Sequence, residues 1–437
     1  MAAVATLDYG SSDARPPLNS GVRARLSVMM LLQFGIWGAW FTVLNVYLKN
    51  ALKFDDVQVG SIYATIPLGA IFSMMFAGQL ADKLMSSERL MVIFHLAGAV
   101  ALYLLAQQTT FTGVWTMAFI WALLYNPTLA ISNSIAFANI PDATRDFPTL
   151  RVLGTIGWII AASSVDWFLP AGAAATNQPI LLAAALSVVL GAFSFLLPHT
   201  PPAGQGGGAF PFLKAFGLLR DPSFAIFFGV AFVITIALAF YYTWTGVFLD
   251  NVGVTNIPST MAIGQWSEIA FMILLPFALR WFGMKTVLAI GMAAWALRYG
   301  AFSAASDGTP YSMIIIGIAL HGVCFDFFLA AGFIHTDNKA PAAIRGSAQA
   351  LFSFIVYGLG MFVGSEISGR VVAAYTTDGV RQWSTIWMIP AIGAIICLAL
   401  FILLWRDRGG KVQDSSNETV RLKAGPTEPV AAVGDVV

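Results

Sequence analysis

Charge is what this sequence has least of. Asp, Glu, Lys and Arg make up 10% of its 437 residues, against roughly a quarter in soluble domains. A chain so poor in charge and 58% hydrophobic cannot clothe a water-facing surface, so its apolar residues must face lipid or one another. The mean hydropathy of +0.77 agrees. Neither sign is in excess: the formal net charge is +1, which removes the electrostatic ground for a nucleic acid or other polyanionic partner. Cysteine is also scarce. Cys324 and Cys397 both sit in apolar runs, too few and too far apart for a disulfide framework or a thiolate metal site. His95, His199, His321 and His335 are scattered. Nucleophile elbow, HExxH motif and Gly-rich phosphate loop are all missing, so neither an enzyme nor a bound metal or cofactor is expected.

Long apolar runs are what the chain does have. A spanning helix takes about 20 mainly apolar residues. Runs of that kind predict about twelve spans, at 26–48, 58–81, 90–107, 114–138, 149–169, 179–197, 223–249, 259–281, 286–304, 310–334, 346–373 and 385–405. In lipid every backbone N–H and C=O needs an internal partner, which makes such spans helical. Residues 1–21 are polar and lack the apolar core of a signal peptide, and 409–437 are polar and rich in small residues; both read as disordered cytoplasmic tails. With both termini cytoplasmic, inner segments hold Arg23, Arg25, Lys83, Arg89, Arg145, Lys214, Arg220, Arg280, Lys285, Lys339, Arg345 and Arg406. Outer loops hold Lys49, Lys53 and Arg381, with Arg370 near a helix end. That bias is the positive-inside rule for an even span count. The Pro- and Gly-rich stretch 198–222 reads as a flexible cytoplasmic linker between a bundle at 22–197 and a second at 223–408. The expected architecture is therefore all-α and integral to the membrane, in two six-helix bundles. A cavity between bundles is a recurring plan for secondary transport by alternating access.

Particular segments narrow this. GQLADKLMSSER, Gly78 to Arg89, resembles the signature loop after span two in the major facilitator superfamily. There Gly78 permits close helix approach and Asp82 can clamp a neighbouring helix end. LQFGIWGAW (Leu32–Trp40), YNPTLAISNSIAF (Tyr125–Phe137), DFPTLRVLGTIGW (Asp146–Trp158), GQWSEIAF (Gly264–Phe271), CFDFF (Cys324–Phe328) and PAAIRGSAQ (Pro341–Gln349) resemble the nucleoside:H⁺ symporter family of that superfamily. The resemblance implies a membrane-potential- or proton-driven importer of nucleosides, with proton coupling the expected form; a multi-pass place in the cytoplasmic (inner) membrane is expected.

Ionisable groups within spans cost about 2.5–3.5 kcal/mol on insertion scales and tend to be paired and functional. Arg151, Thr155 and Trp158 fall at i, i+4 and i+7 of one helix face. A guanidinium and a hydroxyl suit substrate hydroxyls or a base carbonyl, and Trp158 suits stacking on a flat ring; a structural alternative is Arg151 closing on Asp146. Gln265 and Glu268, at i, i+3, can donate to and accept from a ribose or base edge. The resemblance places Arg151, Thr155, Gln265 and Glu268 in the substrate site. His321 and Phe325 are i, i+4 neighbours in span ten, with Asp326 beside them. An aspartate in apolar surroundings is readily held protonated, which suits proton coupling, with Glu268 a second candidate; the alternative is a structural salt bridge from Asp326 to Arg298 or Arg151. His95 and Arg298 read as packing residues, and Glu366 and Arg370 as an i, i+4 pair.

Two positions depart from the family. Span seven carries Tyr241, Tyr242, Thr243 and Thr245 where amide side chains are usual, and His321 stands where a Tyr is expected. Both changes fall on the substrate side. A sugar or polyol symporter would use the same hydroxyl-recognising groups, and a non-transporting sensor would use the same scaffold. Aromatic partners favour a ligand with a flat base.

Overall fold

The computed structural model describes residues 17–83, 85–202, 211–341 and 344–405, with side chains described at all of these except 74–83, 143–144 and 211–212. Helices account for almost all of it. They are α1 (Ser20–Gly38), α2 (Leu44–Asn50), α3 (Asp56–Lys83), α4 (Ser87–Ala106), α5 (Phe111–Asn139), α6 (Ala143–Phe168) and α7 (Gln178–Phe193). After the linker come α8 (Pro222–Asn251), α9 (Ile257–Ala304), α10 (Tyr311–Ala319), α11 (His321–Cys324), α12 (Ala331–Lys339), α13 (Arg345–Ser353), α14 (Met361–Ala374) and α15 (Trp383–Leu404). A two-stranded hairpin pairs Thr376–Thr377 with Val380–Arg381.

Helix starts follow capping chemistry. Asn19 accepts hydrogen bonds from the Gly21 and Val22 amides, so α1 begins at Ser20, inside the tail expected over 1–21. Asp221 accepts from the Ser223 and Phe224 amides ahead of Pro222 at the first turn of α8. Among the described residues nine helical segments are long and apolar enough to cross a bilayer. One of them, α9, is 48 residues long. It contains the non-helical Gly283 at φ 74°, ψ 164°, a conformation open to glycine and strained for other residues. Gly283 divides α9 into two limbs matching the expected spans 259–281 and 286–304. Part of the linker is itself helical: Pro211–Arg220 forms a 3₁₀ helix whose Ala215 is buried. The tail residues 1–16 and 406–437, and linker residues 203–210, lie outside the described residues.

Small residues set how closely the helices approach. A Cβ on Gly157 of α6 would lie 2.0 Å from the Leu31 carbonyl oxygen of α1, and one on Gly60 of α3 would lie 2.6 Å from the Ser365 carbonyl oxygen of α14. Backbone-to-backbone contact of this kind replaces the hydrophobic drive that lipid removes.

Helices α1–α7 and α8–α15 are tied together by hydrogen bonds at one end of the bundle. Asn45 Nδ2 donates to the Thr243 carbonyl at 2.7 Å and Asn50 Nδ2 to Asp250 at 2.9 Å. The Ser259 amide donates to Asp166 at 2.8 Å. Asp56, at the start of α3, receives Arg381 at 2.7 Å and Lys49 at 2.8 Å. Burial pushes the Asp56 carboxyl upward, but hydrogen bonds and charge from Arg381 and Lys49 outweigh it and hold the group below the usual carboxylate range.

Candidate functional site

Arg151, Thr155 and Trp158 project from α6. Its first turn is held by Arg145, which donates Nε and Nη2 to the two Asp146 oxygens at 2.8 and 2.9 Å. Asp146 is thereby engaged, and Arg151 does not close on it. Instead the Arg151 guanidinium carbon lies 4.1 Å from the centroid of the Phe34 ring of α1, a cation–π contact. Thr155 is half-buried one turn on. Trp158 is buried with Ile159 and Ala162 against Ala262 of α9, with Phe34 and Ile269 at the edge. Its ring sits in the seam where the two groups of helices meet, so an open stacking face is not what this conformation offers.

Gln265 and Glu268 are half-buried on the first limb of α9, across that seam. Glu268 Oε2 lies 3.8 Å from His321 Nε2.

Span ten departs from a regular helix. It stops at Ala319, restarts at His321 and widens into a π-helical turn over Phe325–Ala330, a form that concentrates at functional sites. His321 and Phe325 still meet, ring centroids 5.6 Å apart. On its other side the imidazole stacks on Tyr241, 5.1 Å away and inclined by 21°, and its Nε2 lies 3.5 Å from the Tyr242 hydroxyl. Asp326 is fully buried on the π turn with neither carboxylate oxygen hydrogen-bonded within the protein. A structural salt bridge to Arg298 or Arg151 is therefore not its role: Arg298 donates Nε to the Gly317 carbonyl at 2.9 Å, and Arg151 lies on Phe34.

Tyr242 is the contact that sequence reasoning left without a role; the signal was two adjacent phenols in an apolar span. Gln33 is buried in a network, donating to Thr128 at 2.7 Å and paired with His95 at 2.9 Å. Glu366 and Arg370 pair at 3.1 Å as expected. Gly78 and Asp82 lie among the residues whose side chains are outside the described set. Among the described residues no group of His, Cys, Asp or Glu could hold a metal ion.

Apolar helices meeting over an arginine, a glutamate, a histidine and an unpaired aspartate define a secondary transporter of the major facilitator type. Residues 20–409 match the nucleoside:H⁺ symporter family, to which the chain belongs. It is a proton-coupled nucleoside transporter and not an enzyme. It is 38% identical over 429 residues to the putative nucleoside transporter YegT of Escherichia coli (strain K12), covering 94% of this chain and 99% of that one. It is 32% identical over 399 residues to the xanthosine permease of the same organism, covering 87% and 95%. The crystal structure of nucleoside transporter NupG superposes with a TM-score of 0.80 at 31% identity, covering 89% of this chain and all of that one.

Proposed function

We propose that this chain imports nucleosides with protons across the cytoplasmic membrane by alternating access, through twelve crossings with both termini cytoplasmic. The lysine and arginine bias supports that orientation. On it, the end tied by Asp56–Arg381 and Asn50–Asp250 is the outer one, and the conformation is closed to the outside. Gly78 and Asp82 are assigned the conformational role of the loop after span two.

Arg151, Thr155, Gln265 and Glu268 are proposed to read the ribose hydroxyls and base edge. His321 and Phe325 supply flat faces for the base, and Trp158 acts once the seam opens. Asp326 is proposed to carry the proton. The observation that carries this reading is its complete burial with neither carboxylate oxygen hydrogen-bonded within the protein. A carboxylate without a partner in apolar surroundings favours its neutral form, and hydration on opening favours release. Coupling requires the two access states to differ in this protonation.

Names of the relatives support a nucleoside or xanthosine-like ligand, and the Tyr242 phenol and His321 imidazole set which base is preferred. The test is uptake into proteoliposomes under an imposed inward proton gradient, with nucleosides, free bases and sugars as competitors. Nucleosides are expected to compete and sugars not; competition by sugars alone would overturn the substrate assignment.

A further inference from the structure

Arg298 lies on the second limb of α9, fully buried, and among the described residues no carboxylate is within ion-pair distance of it. Such a cation is expensive in a span. Its contacts are with a break. Where α10 stops, carbonyls lose their helical partners, and lipid offers none. Arg298 donates Nε to the Gly317 carbonyl at 2.9 Å and Nη2 to the Ile318 carbonyl at 3.5 Å. Ser267, on the first limb of α9 and adjacent to Glu268, donates its hydroxyl to the next carbonyl, Ala319. The two limbs of one helix thus hold the break from both sides, and His321 follows it immediately.

Satisfying a carbonyl needs no charge, as Ser267 shows, so an arginine calls for a further reason. The guanidinium carbon lies 3.7 Å from the centroid of the Tyr241 ring, and Tyr241 stacks on His321 at 5.1 Å. Cation, phenol and imidazole form three layers, ending where His321 Nε2 meets Glu268 at 3.8 Å and Tyr242 at 3.5 Å. Gly264 leaves the space for this: a Cβ there would lie 3.1 Å from the His321 Cβ and 3.3 Å from the Tyr241 hydroxyl.

From this geometry we infer that Arg298 is a positioning residue for substrate binding, fixing the break in span ten and, through the Tyr241 ring, the orientation of His321 toward Glu268. The inference rests on the reading that His321 and Glu268 face the substrate. Misplacing such a group by about 1 Å costs up to about 10²-fold.

The test uses the full-length protein. Uridine and adenosine binding is measured by calorimetry in detergent, and KM and maximal exchange rate by counterflow in proteoliposomes. Arg298→Met and Tyr241→Leu are expected to weaken binding and raise KM at least about tenfold while leaving the maximal exchange rate within about twofold. Tyr241→Phe, which keeps the ring, is expected to restore wild-type affinity. Unchanged binding by Arg298→Met overturns the inference, as does Tyr241→Phe losing as much as Tyr241→Leu. If Arg298→Met fails to fold, the Tyr241 pair decides in the same terms. Glu268→Gln separates the two levels. Lost binding there with intact binding in Arg298→Met defeats this inference alone, whereas intact binding in Glu268→Gln defeats the underlying site reading.

Discussion

Arg151 on α6 and Glu268 on α9 are half-buried groups, one from each side of the linker. Each is an ionisable group within an apolar span, a costly placement that tends to mark function. Arg151→Ala and Glu268→Gln are therefore expected to reduce nucleoside binding at least about tenfold while eluting as folded protein from size exclusion in detergent. Calorimetric titration checks this, and wild-type affinity in both would remove them from the site. These residues were legible because charge in an apolar run stands out. Asp326 was legible for the same reason. Arg298 stood out equally but read as packing, because the partners that give it meaning are backbone carbonyls. No side-chain pattern records that helix α10 stops at Ala319.

The long elements were legible from hydropathy, and their irregularities were not. Residues 310–334 read as one helix, yet they contain the break at Leu320 and the π turn over Phe325–Ala330. The carbonyls at the break are met by Arg298 and Ser267, which are distant in sequence. A second π turn, Phe354–Gly360, interrupts the span formed by α13 and α14, and it too falls in an ordinary apolar run. The close approach of α1 and α6 was not read from the sequence. A side chain at Gly157 would meet the Leu31 carbonyl, so Gly157→Val is expected to lower the thermal midpoint in detergent by the equivalent of about 1–3 kcal/mol. Gly300, whose added Cβ would meet nothing within 4 Å, is the control. Gly300→Ala is expected to leave the midpoint unchanged or raise it. Equal loss from both would mean that α1 and α6 do not meet as described.

For the molecule as a whole, alternating access requires the tied end to come apart. Asp56 is the charged link there, receiving Lys49 from its own side and Arg381 from the other. Its carboxyl is held below the usual range in the closed form. Its contribution to closure is therefore complete above the ordinary carboxylate pKa and is lost as pH falls through the lowered value. Spin labels at the exposed Ala51 and Val380 would report the separation of this end. Asp56→Asn is expected to lengthen that distance at neutral pH, and acidification below pH about 4 to lengthen it in the wild type. An unchanged distance in both experiments would show that Asp56 does not hold the end closed.

Proton coupling through Asp326 is the claim on which the transport account turns, and Asp326→Asn in proteoliposomes tests it most directly. Nucleoside accumulation is followed under an imposed inward proton gradient, alongside exchange between equal internal and external pools. The substituted amide cannot gain and lose a proton with the access state, so the gradient no longer biases the cycle. Uphill accumulation is expected to disappear while exchange persists. Continued concentration of nucleoside by Asp326→Asn in response to the gradient would contradict the account, and the proton would then be carried elsewhere, with Glu268 the next residue to substitute.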